Sequence, residues 1–258
     1  MPKFAANLTM LFNEVDFLDR FEAAAHAGFE GVEYLFPYDY DADALVERLQ
    51  ANGLTQVLHN LPAGDWDAGE RGIACHPDRV NEFRDGVGTA IEYATALGCK
   101  QVNCLAGIVP RSVSAAKAHE TFVENLRFAA PALEEAGIRL VIEPINTIDI
   151  PGFFLNRTYQ GRSIISEVAS PNLFLQHDIY HMQIMEGDLA RTIEQNLDVI
   201  AHMQLADNPG RHEPGTGEIN YPYLFDLIDS SGYQGWIGCE YIPSTTTEEG
   251  LGWIRDHI

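Results

Sequence analysis

Four polar residues that could bind a metal ion or transfer protons each follow a short apolar run. They are Glu143 after Leu-Val-Ile, Asp178 after Leu-Phe-Leu-Gln-His, Gln204 after Val-Ile-Ala-His-Met and Glu240 after Trp-Ile-Gly-Cys. A carboxylate at the end of a buried strand needs a partner that offsets its lost hydration, and no lysine or arginine adjoins any of the four in the sequence. One divalent ion shared by three carboxylates and an amide would offset them all. Such oxygen ligands favour Mg²⁺, with Mn²⁺ as an alternative, over zinc.

Each of these residues also has an ordinary structural interpretation. A single Glu or Asp at a strand end often caps a helix or pairs with a distant cation. Glu33 is a further candidate of this kind, and we interpret it as a group that supports the fold or the site. The functional interpretation therefore depends on whether the fold brings the four residues to one place.

The elements that must position these residues alternate along the chain, a short apolar run followed by a helical pattern, eight times. The apolar runs predict strands at 4–10, 31–36, 54–60, 100–106, 139–144, 173–178, 199–206 and 236–241. The intervening patterns predict helices at 16–27, 42–52, 78–97, 115–136, 159–169, 188–196 and 221–231, with a last helical segment after them. Near-continuous apolar strands are typical of parallel sheets that helices cover. Count, order and length predict an α/β fold, a single (β/α)8 TIM barrel with residues 1–258 as one domain.

In a barrel of this kind, catalytic residues lie at the C-terminal ends of the strands. The four polar residues end predicted strands five to eight, so we expect them at one mouth of the barrel. A doubly wound open sheet is the alternative, but it would carry a glycine-rich phosphate loop after an early strand, and the sequence has none. The connection at 61–77 is longer than usual, which is typical of a functional loop such as a lid or of a poorly ordered one.

The charge and the cysteines argue against several classes of protein. The chain has 38 acidic and 16 basic residues, a formal net charge of −22, which repels phosphate backbones and anionic lipids. We therefore expect neither a nucleic-acid partner nor a membrane partner. The four cysteines form no Cys-x-x-Cys pair, and this is typical of reduced thiols in a cytoplasmic protein. The sequence leaves the oligomeric state open, and a homo-oligomer is one of the states it allows.

Several long motifs resemble the hydroxypyruvate isomerase family, within the xylose isomerase-like TIM barrels. They are FAANLTMLFNEVDFLDRFEAAAHAGFEGVEYLFPY from residue 4, LPAGDWDAGERGIA at 61–74, MQLADNPGRHEPGTGEINYPYLFDLI at 203–228 and GYQGWIGCEYIP at 232–243. The resemblance covers almost the whole chain. It implies a metal-dependent isomerase that interconverts hydroxypyruvate and 2-hydroxy-3-oxopropanoate (tartronate semialdehyde) through a cis-enediolate.

The resemblance also implies roles for individual residues. Glu143, Asp178, Gln204 and Glu240 would bind one divalent ion, and Glu143 and Glu240 would be the catalytic proton donor and acceptor. His181 stands three residues after Asp178, and related ketose 3-epimerases use a histidine at that spacing to bind a substrate oxygen. Those epimerases have a histidine where Gln204 stands, and this departure favours the hydroxypyruvate isomerase branch.

The small hydroxy-oxo acid substrate carries a carboxylate, so a cation is expected near it. Arg211, in the loop after the seventh predicted strand, is the best candidate for a bidentate contact. Arg71 in the long loop and His212 are weaker candidates, and Arg71 could equally be a solvated loop residue. His59 and Asn60 end the third predicted strand, where they either line the pocket or serve the fold.

Five other functions are alternatives to this one. A 2-oxo-tetronate isomerase or a ketose 3-epimerase would use the same scaffold, and the residues that separate them are not legible in the sequence. A Schiff-base aldolase needs a lysine in the site, but Lys3, Lys100 and Lys117 all lie away from the expected mouth. An abasic-site nuclease would need a basic groove and several metals. A carbohydrate-binding barrel without activity is opposed by the presence of both glutamates.

Overall fold

Eight parallel strands close into a barrel in the computed structural model, which describes residues 2–255. Each strand pairs with its neighbours in chain order, and β8 pairs with β1. The strands are β1 (Lys3–Asn7), β2 (Gly31–Glu33), β3 (Thr55–Asn60), β4 (Gln101–Cys104), β5 (Arg139–Ile142), β6 (Leu173–Asp178), β7 (Ile200–Leu205) and β8 (Trp236–Cys239). The predicted (β/α)8 TIM barrel is therefore confirmed.

The described part of the chain has nine α-helices that follow or lie between these strands. They are α1 (Arg20–His26), α2 (Ala42–Asn52), α3 (Val80–Leu97), α4 (Ala115–Glu135), α5 (Thr158–Val168), α6 (Ile179–Met185), α7 (Leu189–Asn196), α8 (Tyr221–Ser230) and α9 (Thr247–Gly250). Short 3-10 turns at Phe17–Asp19, Pro77–Arg79 and Leu251–Ile254 extend α1, α3 and α9. None of the described helices is long and apolar enough to cross a membrane.

Apolar side chains pack on both faces of the strands, inside the barrel and between the strands and the helices. One buried cluster joins residues of β1, β3, β5 and β7, namely Ala5, Val57, Leu58, Val141 and Ala201. Contributions from alternate strands are what a layer inside an eight-stranded barrel requires. A much larger cluster packs the strands against the helices. The sequence pattern found the buried runs because both faces of each strand are covered.

The strand ends differ from the prediction in a way that matters for the site. The apolar pattern extends the fifth strand to residue 144 and the eighth to residue 241, whereas β5 ends at Ile142 and β8 at Cys239. Glu143 and Glu240 are thus the first residues beyond the ladder. Their side chains lie where the backbone leaves the barrel, at its C-terminal mouth.

Helix α6 was absent from the sequence prediction. It begins directly after β6, because Asp178 is both the last residue of the strand and the N-cap of the helix. One Asp178 oxygen, Oδ1, accepts hydrogen bonds from the backbone N–H groups of Tyr180 and His181. A helix of seven residues has too few turns to give a clear apolar period. Because α6 begins at the mouth of the barrel, His181 stands on the first turn of this helix.

Candidate active site

A cavity of about 220 Å³ opens at the C-terminal mouth of the barrel. Its lining includes the predicted residues Glu143, Gln204, Glu240, His181, Arg211 and Arg71. The remaining wall is formed by Asn7, Met10, Tyr34, Leu35, Leu58, Asn60, Trp66, Leu105, Ile145, Asp149, Ile150 and Gln176. Charged and amide groups are thus gathered in one small space with apolar walls, which is a typical composition for a small-molecule site.

Glu143 and Glu240 are buried and have different partners. Asn103 on β4 donates a hydrogen bond to Glu143 Oε2 at 2.9 Å. Arg211, in the loop after β7, donates to Glu240 Oε1 at 2.9 Å. One carboxyl group therefore has a neutral donor and the other a cationic one.

The proton affinities of the carboxyl groups follow from this environment. Burial, with the charges of Glu240 and Asp178, raises the pKa of Glu143 well above its ordinary value. Burial also raises the pKa of Glu240, although the nearby Arg211 opposes the rise. The pKa of Asp178 is raised by burial as well, again against Arg211. The site can thus hold protons on carboxyl groups at neutral pH, which is what acid–base chemistry needs.

Asp178 is fully buried and uses its two oxygens differently. Oδ1 caps α6, whereas Oδ2 has no hydrogen-bond partner within the described part of the chain. Oδ2 lies 3.6 Å from Nε2 of His181 and 4.0 Å from the Arg211 guanidinium. A buried carboxylate oxygen without a partner is costly, so this oxygen is the atom in the site that most needs a cation.

Gln204 is held by a buried polar network that includes Glu33. Its Nε2 donates to Glu33 Oε1 at 2.7 Å, and its Oε1 accepts from Gln176 at 2.6 Å. Glu33 also accepts from His202 at 2.7 Å. A Cβ atom at Gly238 would overlap the Glu33 carboxylate, so the glycine leaves the space that this carboxylate fills. The supporting role expected for Glu33 fits these contacts.

A group able to hold a metal ion is present among the described residues, but it differs from the predicted set. Ligand atoms of Glu143, Asp178 and His181 lie within 4.8 Å of one another. Glu240 and Gln204 line the same cavity, with Glu240 engaged by Arg211 and Gln204 by Glu33. The geometry therefore fits a divalent metal at the mouth.

The other predicted substrate-binding residues fall into two groups. Arg211 and Arg71 both line the cavity, and Arg71 stacks on Trp66 with its guanidinium carbon 4.1 Å from the ring centroid. His59 does not line it. Neighbouring side chains of a strand point to opposite faces, so Asn60 reaches the cavity while the buried His59 ring contacts Tyr38. The expectation that His59 lines the pocket is corrected accordingly.

Sequence reasoning missed Asn146 and Asp149, which support the site from the segment after β5. Asn146 contacts His181, and Asp149 accepts from the Tyr180 hydroxyl at 2.9 Å. The sequence did contain a signal for Asn146, since this polar residue follows Glu143 by three residues in the segment that leaves the same strand. Trp66 and Gln176 in the cavity wall carried no comparable signal.

The fold and this cavity define a barrel enzyme, and the comparisons with known proteins identify its family. The chain belongs to the xylose isomerase-like TIM barrel family, whose model matches residues 21–257. Hydroxypyruvate isomerase of Escherichia coli is 59% identical over 254 residues, which cover 98% of each chain. The 2-oxo-tetronate isomerase of Cupriavidus necator is 51% identical, covering 100% of this chain and 99% of that one. With such relatives along its whole length, the chain is an isomerase.

Solved structures agree with this assignment of the fold. The crystal structure of a Brucella melitensis protein described as an AP endonuclease, family 2, has a TM-score of 0.98 and 49% identity, covering 100% of this chain and 99% of that one. An L-ribulose 3-epimerase has a TM-score of 0.77 at 23% identity, covering 97% of this chain and 85% of that one. The second similarity shows the fold alone.

Proposed function

We propose that the chain interconverts hydroxypyruvate and 2-hydroxy-3-oxopropanoate by moving a carbonyl group between neighbouring carbons. The observation that carries this proposal is that Glu143 and Glu240 line one small cavity, both buried and both with a raised pKa. The E. coli relative named hydroxypyruvate isomerase supports the choice of substrate.

The two glutamates carry out the proton transfers at carbon. One carboxylate removes a proton from C3 of hydroxypyruvate, which leaves a cis-enediolate. The other carboxyl group delivers a proton to C2, while the O3 hydroxyl gives up its proton and O2 gains one. No co-reactant is consumed. General acid–base steps of this type contribute about 10²–10⁴-fold to a rate.

Glu143, Asp178, Gln204 and Glu240 would hold one divalent ion, Mg²⁺ or Mn²⁺, at this mouth. The donor set is all oxygen, as these hard ions prefer, and the unpartnered Oδ2 of Asp178 is a suitable ligand atom. The ion would supply Lewis-acid stabilisation of the negative charge that develops on the substrate oxygens.

Arg71 is the group that we assign to the substrate carboxylate. Arg211 is already paired with Glu240, whereas no carboxylate among the described residues lies within ion-pair distance of Arg71. Nη1 of Arg71 donates to the backbone oxygens of Trp66 and Glu70, and the ring of Trp66 fixes the plane of the guanidinium. Its second amino group is left for a ligand. The proposal thus prefers Arg71 to Arg211, whereas the sequence suggested Arg211 first.

A 2-oxo-tetronate isomerase is the second candidate. The Cupriavidus necator relative of that name is 51% identical over the whole chain. Its substrate, as named, is also an oxo acid, so the same carboxylate contact and the same pair of glutamates would serve.

The decisive experiment is product analysis by NMR after incubation with hydroxypyruvate and, separately, with 2-oxo-tetronate, each with Mg²⁺ and with Mn²⁺. We expect the higher kcat/KM with hydroxypyruvate and loss of activity after chelation. A higher kcat/KM with 2-oxo-tetronate would favour the second candidate, and turnover of neither acid would reject both.

The role of Arg71 is tested by comparing an acid with its neutral counterpart. In Arg71→Gln we expect kcat/KM for hydroxypyruvate to fall about 10- to 100-fold, since a hydrogen bond to a charged group is lost. Dihydroxyacetone has a hydroxymethyl group in place of the carboxylate, so we expect the wild type to turn it over more slowly and Arg71→Gln to turn it over at the wild-type rate. Arg111→Gln, at an exposed loop arginine, is the matched control. Equal losses with both substrates would refute the assignment.

A further inference from the structure

His181 and Asn146 form a buried contact in the wall of the candidate active site. Nδ1 of His181 lies 2.7 Å from Nδ2 of Asn146, and both side chains are almost completely buried. Two nitrogen atoms at this distance are a hydrogen bond only if one donates and the other accepts. Which nitrogen donates decides the chemistry of the imidazole.

The orientation of the Asn146 amide is fixed by its other neighbours. Its Oδ1 accepts from the backbone N–H groups of Ile148 at 3.0 Å and Asp149 at 2.8 Å. Its Nδ2 also donates to Asp149 Oδ2 at 3.0 Å. Turning the amide over would set its oxygen against that carboxylate and its NH₂ group against two N–H donors. The nitrogen end therefore faces His181.

This orientation fixes the tautomer of the imidazole. An amide NH₂ group can only donate, so Nδ1 of His181 must be the acceptor and carries no hydrogen. An imidazolium is incompatible with this contact as well, because both of its nitrogens are donors. The ring hydrogen is thus on Nε2, which lies 3.6 Å from Asp178 Oδ2 and 3.8 Å from Glu143 Oε1.

We propose that Asn146 is a positioning residue that holds His181 as the Nε2–H tautomer. This tautomer is the form that the substrate-oxygen contact expected for His181 requires, and it keeps Nε2 from binding the divalent ion. A nitrogen that carries hydrogen has no lone pair to offer a metal. Of the three residues whose ligand atoms lie close together, Glu143 and Asp178 are then metal ligands and His181 is a hydrogen-bond donor. The consequence for the reaction rests on the proposed function, whereas the tautomer does not.

The tautomer can be measured without any activity. In protein labelled with ¹⁵N-histidine, protonated and unprotonated ring nitrogens differ in chemical shift, and His181→Asn identifies the resonances of His181. We expect Nε2–H in the wild type. In Asn146→Asp the new carboxylate can only accept, so His181 should change to Nδ1–H. An Nδ1–H wild type would falsify the proposal whether or not the protein isomerises hydroxypyruvate.

A charge-matched variant separates the tautomer from the added charge. Asn146→Asp adds a negative charge, whereas the double variant Asn146→Asp/Asp149→Asn adds none and still places a carboxylate at Nδ1. In both variants Nε2 gains a lone pair, so we expect tighter binding of Mn²⁺ in EPR titrations. We also expect kcat/KM to fall about 10²- to 10³-fold, as when one positioned donor is removed. An unchanged Mn²⁺ affinity in the double variant, with the tautomer changed, would overturn the exclusion of His181 from the metal.

Discussion

Glu143 and Glu240 share a buried site, but the structure gives them unequal environments. Glu240 is paired with the Arg211 guanidinium at 2.9 Å, which favours its ionised form. Among the residues that the structure describes, Glu143 has only the neutral Asn103 as a hydrogen-bond donor, and it faces two further carboxylates. Pairs of titratable groups with different environments divide acid and base roles. We therefore expect Glu143 to hold a proton more readily than Glu240 in the metal-free molecule.

Glu143→Gln and Glu240→Gln should each abolish isomerisation, because an amide has nearly the same shape and cannot exchange the proton. The Glu143 carboxyl group, whose pKa is raised by burial, is costly to ionise, so the thermal unfolding temperature of Glu143→Gln should stay equal or rise. Turnover is measured by NMR, and unfolding by circular dichroism. Glu120→Gln, at an exposed residue paired with Lys117, should behave like the wild type. Near-normal turnover in either active-site variant would contradict the assignment.

At the scale of elements, the sequence pattern predicts which segments are strands better than where they end. The eight apolar runs are all strands, and α2 is predicted to the residue. The predicted strand ends differ by up to three residues, as at β2, because apolar residues beyond the ladder are buried or half-buried by tertiary packing and look the same in sequence. The sequence does not predict helix α6, because this short helix follows β6 with no loop between them: Asp178 both ends the strand and caps the helix.

For the site, the sequence likewise predicts which residues come together but not the contacts that they make. Strand position predicts that Glu143, Asp178, Gln204 and Glu240 approach one another, since parallel strands end at one mouth. It does not predict their partners. The contact of Gln204 with Glu33 joins residues 171 positions apart, and that of Asn146 with His181 joins residues 35 apart. Local sequence carries no record of such contacts.

Gly238→Ala tests how tightly the strands hold Glu33. Its Cβ would overlap the Glu33 carboxylate, a buried group that cannot withdraw without leaving His202 and Gln204. We expect a loss of about 1–3 kcal/mol in the free energy of unfolding, typical of overpacking, together with lower turnover.

The matched control is Gly88→Ala on the exposed face of α3, where a Cβ meets no other atom within 4 Å. A glycine-to-alanine change inside a helix should stabilise by about 0.4–1 kcal/mol. Equal stability of Gly238→Ala and the wild type in urea unfolding would show that Glu33 has room to move.

The whole molecule carries a formal charge of −22, which repels an anionic substrate over a long range. The closed barrel nevertheless brings two arginines to the cavity, Arg71 from the loop after β3 and Arg211 from the loop after β7. The same topology gathers several carboxylates at the mouth. We therefore expect the stability of the molecule to depend on both pH and divalent ions.

The buried carboxyl groups set the sign of the pH dependence. The pKa values of Glu143 and Glu240 are higher in the folded protein than the ordinary value of about 4.3. Folding thus favours their protonated forms. Their contribution to stability is fully present below that ordinary value, and it is lost as the pH rises through the higher folded values. Chelator-treated protein should therefore lose stability from weakly acidic to weakly alkaline pH.

A bound divalent ion should stabilise the protein more as the pH rises, which is the opposite of the effect of the buried carboxyl groups. An ion held by these carboxylates competes with protons, so the rise in unfolding temperature on adding Mg²⁺ or Mn²⁺ should be larger at alkaline than at acidic pH. The measurement is differential scanning calorimetry of chelator-treated protein across this pH range, with and without the ion. Glu143→Gln and Glu240→Gln lack one of the competing groups each, so both variants should show a flatter response. A metal-induced rise that is independent of pH, or that persists unchanged in both variants, would place the ion away from these carboxylates.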